Sequence, residues 1–155
     1  MNPHEQLIEE FYAAFATGNG KTMASCYHNE IIFQDPIFGI IKGPAVADMW
    51  NMLIERSKGN LKIEFSEVNA ESGSGSARWL ATYFFSKTKR EVVNTVFATF
   101  EFEDGLIIKH TDHFNLWKWS QQAFGFSGYC LGWTGFLQRK IQREARTALQ
   151  KYRIT

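Results

Sequence analysis

The periodicity of apolar residues changes once along this chain, after Lys58-Gly59-Asn60, and that change limits the folds open to it. Before it, the spacing is helical. Leu7, Ile8, Phe11, Tyr12 and Phe15 fall on one face of a helix over residues 4–16, and Gly18 ends it. A short second helix is predicted over 20–27, carrying Met23, Ala24 and Tyr27. Ile31-Ile32-Phe33 reads as a short strand closed by Asp35-Pro36, and Gly39 and Gly43-Pro44 punctuate a loop. Pro44 suits the first turn of a third helix, whose stripe is Val46, Met49, Trp50, Leu53 and Ile54. After the change the period is two. Strands are predicted near 61–71, 76–87, 91–104 and 106–117, with Asp104-Gly105 as a tight-turn signal between the last two. Helices followed by an antiparallel meander make an α+β fold, with the helices on one face of a curved sheet.

The 14 Phe, 5 Trp and 5 Tyr exceed what packing a core of this size requires. A 155-residue chain suits one domain and can bury roughly 70% of its unfolded surface. Seventeen basic against 16 acidic residues leave +1, too little for binding nucleic acid by phosphate neutralisation. No apolar run reaches the ~18 residues of a membrane span. Met-Asn-Pro-His-Glu-Gln leads into no signal-like stretch, so a cytoplasmic chain is expected. Cys26 and Cys130 cannot form a disulfide framework. No His, Asp or Glu cluster has ligand spacing, and no glycine-rich phosphate cradle follows a strand. Neither a metal nor a cofactor is therefore expected. His4 and His28 are expected at the surface without partners.

The chain divides into residues 1–119 and an extension, 120–155. Ser120 to Gly135 is Gly-rich and apolar, and the approach 124–136 can act as a lid over a cavity opening. An amphipathic helix follows, marked by Leu137, Ile141, Ala145, Ala148, Leu149 and Tyr152. Residues 137–155 hold six basic residues and one acidic, net +5. Three readings are open: an extra helix over the domain, part of a homodimer interface, or contact with an anionic membrane surface or acidic partner.

Two stretches resemble the nuclear transport factor 2-like superfamily, which includes ketosteroid isomerase, limonene-epoxide hydrolase and the SnoaL-like polyketide cyclases. The first runs from Leu7 to Pro36, ending Ile31-Ile32-Phe33-Gln34-Asp35-Pro36. The second is Asp104-Gly105-Leu106-Ile107-Ile108-Lys109-His110-Thr111-Asp112-His113-Phe114-Asn115. The resemblance covers about residues 5–118. It implies a cone-shaped α+β barrel, with N-terminal helices packed in a strongly curved antiparallel sheet around a deep apolar cavity. It also implies an apolar small-molecule ligand and a homodimer formed through the sheet. The tail is similar to those of bacterial proteins called ketosteroid isomerase-related.

The resemblance also implies site residues. Asp35 falls at the isomerase's catalytic base, where a carboxylate facing an apolar cavity loses hydration and its pKa rises. The same Asp-Pro can equally end a strand, its carboxylate bonding loop N–H groups. The isomerase's two oxyanion donors fall at Phe11 and Ala98, so both are replaced, and Tyr12 lies ~100° away round the helix. Asp112 falls at an acid–base aspartate shared by the hydrolase and the cyclases. Alternation places Ile108, His110, Asp112 and Phe114 on one face, making His110 and Asp112 neighbours. That pair can serve acid–base chemistry, or simply satisfy itself in a sheet. Arg78 matches part of the hydrolase site, whose second aspartate has no counterpart. The expected catalytic set is Asp35, His110 and Asp112, and the expected ligand shell is Phe11, Phe15, Phe33, Trp50, Trp79 and Phe114. These aromatics can equally be core. Two functions follow: an isomerase or cyclase moving a proton beside a carbonyl, or a non-catalytic domain binding an apolar ligand or a protein.

Overall fold

A computed structural model describes all 155 residues. Helix α1 (Pro3–Ala16) starts at Asn2, whose side chain accepts from the Glu5 N–H at 2.8 Å, with Pro3 in the first turn. Helix α2 (Gly20–Ser25) is capped in the same way by Asn19. Strand β1 (Tyr27–Asp35) is longer than the three-residue run predicted for it. It turns back at Gly39 into β2 (Gly39–Lys42), which the glycines had suggested was loop. Helix α3 (Pro44–Ser57) ends at Lys58 in the left-handed conformation. Strands β3 (Lys62–Ala70), β4 (Ser74–Phe84), β5 (Glu91–Glu103) and β6 (Leu106–His113) form the meander. Asp104 and Gly105 both have positive φ, 54° and 75°, as a two-residue type I′ hairpin requires.

The sheet order is β2-β1-β6-β5-β4-β3. It is mixed rather than antiparallel, because β1 runs parallel to β6. Sequence alternation cannot reveal this pairing, since the two strands are joined through the rest of the sheet. Three irregularities bend the sheet. The step from Tyr27 to Ile32 in β1 spans only Ile107 to Lys109 in β6. In β3 an extra residue lies between Ser66 and Asn69, with Glu67 at φ 54°. In β6 the pairing jumps from Ile107 to Lys109 opposite Phe102 and Glu101. That last bulge corrects the expected face: Ile107, not Ile108, is buried with His110 and Asp112.

The last predicted strand stops at His113. Asn115 caps α4 (Leu116–Phe124), its side chain accepting from the Lys118 N–H, and α5 (Phe126–Leu131) and α6 (Gly135–Ile154) follow. The segment expected as a Gly-rich lid is therefore mostly helical. Helix α6 packs against α3 and the domain body. Arg146 donates to the carbonyls of Phe38 and Ile40, both at 3.0 Å, and Arg153 pairs with Asp48 at 2.9 Å. Leu149 enters the main core, and Ile141 joins Val92, Trp119 and Ala123 in a second one.

Candidate functional site

The concave face of the sheet, α3 and α6 enclose a cavity of about 720 Å³. Apolar side chains dominate its wall, and Asp35, Tyr83 and Asp112 are among the polar groups that reach it. Four of the six expected shell aromatics, Phe15, Trp50, Trp79 and Phe114, line it. Phe11 and Phe33 do not. Both are fully buried behind the wall, edge-on to His110 at ring-centre distances of 5.5 and 5.1 Å. The reason is the sheet's curvature: it brings the rings of α1 and β1 against β6, where they become support.

His110 and Asp112 are buried and joined, Nε2 to Oδ1, at 2.9 Å. The other ring nitrogen, Nδ1, lies 2.8 Å from the Tyr27 hydroxyl, which accepts from the Trp50 indole N–H at 2.9 Å. Trp79 Nε1 donates to the same Asp112 oxygen at 3.3 Å. One proton arrangement satisfies every member. Trp50 donates to Tyr27, Tyr27 donates to His110 Nδ1, and neutral His110 donates from Nε2 to the Asp112 carboxylate. The imidazole is further clamped by Trp50, stacked at 6.1 Å and 21°. Such a closed relay fixes the orientation of Asp112, whose carboxyl reaches the cavity. Ala98, where the isomerase resemblance put a second acid, pairs with Asp112 across the strands and is buried in the core.

Asp35 ends β1. Its Oδ1 accepts from the backbone N–H groups of Ile37 (2.9 Å) and Phe38 (2.6 Å), closing an Asx turn. Oδ2 has no protein donor, and the residue lines the cavity. Burial pushes its pKa from 3.8 to about 7, the Asp112 charge adds to the rise, and the two backbone donors oppose it. A carboxyl poised near neutrality thus faces the same space as Asp112.

Sequence reasoning missed two residues. Tyr27, read only as an apolar position of α2, supplies the hydroxyl beside His110. Tyr83 lines the cavity and accepts from the Trp119 indole N–H at 2.7 Å, so its own O–H is free to donate. Burial raises its pKa to about 12, the Trp119 bond opposes this, and the charge of Asp35 adds to the rise. No local motif marks either tyrosine; only the pairing of distant segments does. Tyr12, beside the replaced donor position, is buried against Phe65 and Trp79 with its hydroxyl unpartnered.

The extension and α4 contribute to this site. Ile141, Ala145 and Ala148 of α6 line the wall, Arg143 and Lys151 its edge, and Trp119 of α4 holds Tyr83. From the expected lid, 124–136, only Phe124 reaches the cavity. Away from it, His28 lies 3.6 Å from both Glu103 and Asp104, correcting its expected isolation. The ligating atoms of these three residues lie within 4.8 Å of one another. His4 accepts or donates at the Glu71 carbonyl and stacks on Phe102.

The family described as SnoaL-like domain matches residues 8–110. No curated protein matches the chain. Among solved structures, Bal32a from a soil-derived mobile gene cassette aligns with a TM-score of 0.69 at 21% identity, covering 78% of this chain and 96% of its own. TerC, co-crystallised with polyporic acid, aligns at 0.63 and 14% identity, covering 74% and 92%. A protein described as a polyketide cyclase from Pseudomonas putida KT2440 aligns at 0.62 and 18% identity, covering 79% and 98%. At these identities the likeness is one of fold.

Proposed function

The chain belongs to the SnoaL-like domain family, and on that premise we propose that it binds an apolar small molecule and moves a proton next to a carbonyl, as an isomerase or aldol-type cyclase does. One observation carries the reading: a cavity of about 720 Å³ presents two carboxyls, one braced by a buried His–Tyr–Trp relay and one with a pKa of about 7. The volume falls in the range of roughly 300–1,000 Å³ typical of small-ligand sites. The solved structures described as a polyketide cyclase and as TerC with polyporic acid support a small-molecule ligand.

In this reading ionised Asp35 takes a proton from the carbon beside the carbonyl. The C–H electron pair moves into the new C=C bond, and the carbonyl pair moves onto oxygen as an enolate. The Tyr83 O–H, polarised by Trp119, donates to that oxygen, the role left open by Phe11 and Ala98. Reprotonation at another carbon by Asp35 gives an isomer; attack of the enolate carbon on a second carbonyl forms the ring C–C bond, and the alkoxide that results takes the proton held by Asp35. Burial keeps Asp35 near neutrality and the Asp112 charge adds to this, while His110 holds Asp112 in place. We further assign a homodimer to the outer sheet face, where Val93 and Phe97 are exposed on β5.

The test is deuterium uptake from D2O, followed by mass spectrometry, into a panel of polycyclic ketones and β-keto esters. The wild-type chain should speed exchange at the carbon next to the carbonyl. Asp35→Asn and Asp112→Asn should each slow it at least about 100-fold, and Tyr83→Phe by about 10–100-fold. Ligands that bind in the cavity without exchange would refute catalysis and favour the binding-domain reading, which the replaced oxyanion donors support.

A further inference from the structure

The extension leaves a cluster of large apolar side chains in water. Phe126, Tyr129, Leu131, Trp133 and Phe136 fall together, and Phe126, Trp133 and Phe136 keep 81, 67 and 69% of their surface. None lines the cavity. Trp117 joins them, its indole N–H donating to the Tyr129 carbonyl at 3.0 Å. Isolated exposed apolar residues are ordinary, but a concentration of aromatics marks a surface that something covers.

The charge on the exposed face of α6 is mainly positive. At ~100° per residue, Arg139, Lys140 and Arg143 lie within ~60° of Phe136 on α6, opposite the buried Ile141 and Leu149. None of those three cations has an ion-pair partner, and the one acid of α6, Glu144, is held by Lys87 at 2.9 Å. Arg90 adds to the same side: its Nε donates to the Gln122 carbonyl and its guanidinium packs over Gly125.

We propose that this aromatic and cationic face docks on an anionic lipid surface. Aromatic rings settle at the headgroup boundary, and a flanking row of Lys and Arg meets the lipid phosphates. A second copy of the chain is a poor occupant, because a two-fold contact would lay the cation stripe against itself. The face also adjoins the cavity. Phe124 and Arg143 line the cavity beside it, which gives an apolar ligand a route from the bilayer. That route rests on the ligand-binding reading above; the docking does not.

The experiment is sedimentation of the full-length protein with vesicles of phosphatidylcholine alone or with about one-third phosphatidylglycerol. Tryptophan emission is read in parallel. Trp50, Trp79 and Trp119 are buried, so a blue shift reports Trp117 and Trp133. Binding to the anionic vesicles with a blue shift is expected. It should weaken in about 1 M salt, where screening acts within about 3 Å. Trp133→Ser with Phe136→Ser should lose at least about tenfold in partitioning. Arg139→Glu with Lys140→Glu should lose about fivefold or more per cation on anionic vesicles. All four side chains are exposed, and unchanged melting of the variants checks that the fold survives. Absence of binding to anionic vesicles overturns the proposal, as does equal binding by the variants. A wild-type dimer that Trp133→Ser with Phe136→Ser converts to monomer also overturns it and assigns the face to a second copy. A failure of ketone exchange with vesicle binding intact would count against the cavity chemistry alone.

Discussion

Asp35→Asn isolates the electrostatics of the cavity, because the amide oxygen can still accept from the Ile37 and Phe38 N–H groups and preserve the turn. What it removes is ionisation. The folded pKa is about 7 against an ordinary 3.8. Between those values the unfolded chain has released a proton that the folded chain retains, so stability falls by about 1.4 kcal/mol for each unit of rising pH. The protonated carboxyl's advantage is complete below about pH 4 and gone once pH has passed about 7. The full three-unit gap corresponds to about 4 kcal/mol; Asp35 is only part-buried, and water in the cavity reduces this to about 2–4 kcal/mol. The variant should match wild type near pH 4 and exceed it by about 2–4 kcal/mol at pH 8, a melting difference of about 5–10 °C. Urea unfolding of both proteins from about pH 4 to 8.5 measures the difference directly. A difference that does not change with pH, or a variant weaker than wild type at pH 8, would refute the claim that this carboxylate is starved of hydration.

Asp112→Asn should move the Asp35 pKa downward, since the Asp112 charge is one cause of its rise; a carboxyl carbon titration by NMR reads this. Tyr27→Phe should cost about 2–3 kcal/mol in chemical denaturation, because it leaves the Trp50 N–H and His110 Nδ1 unpartnered where both are buried. Gly39→Ala should cost at least about 1 kcal/mol and expose α6 to limited proteolysis. Gly39 has φ 72°, and an added Cβ would collide with the Gln142 side chain of α6.

The pattern of residues 61–113 was legible because each strand of the meander pairs with its neighbour in sequence. Local alternation and the Asp104-Gly105 turn then suffice. The pair His110 and Asp112 was legible for the same reason, being two positions apart on one strand. Strand β2 was not, since Gly39 and Gly43 are the residues a loop would also use. The helices α4 and α5 were obscured by Gly125, Gly128 and Gly132. Gly128 and Gly132 serve close helix contact, where a side chain at either would meet the backbone of Ser120 or Gly128. The face of Ile108 was misjudged because a bulge adds a residue without leaving a mark in composition.

What the residues determined alone was the order of elements, the amphipathic faces, and the presence of acids beside apolar runs. All of these are set by neighbours within a few positions. The tertiary structure decided which rings line the cavity and which stand behind it, and that Tyr27 and Tyr83 carry the hydroxyls. It also made Asp35 and Asp112 line one largely apolar cavity. Those depend on how far the sheet bends and on a parallel pairing between β1 and β6, and long-range closure of that kind leaves no periodic trace in the chain.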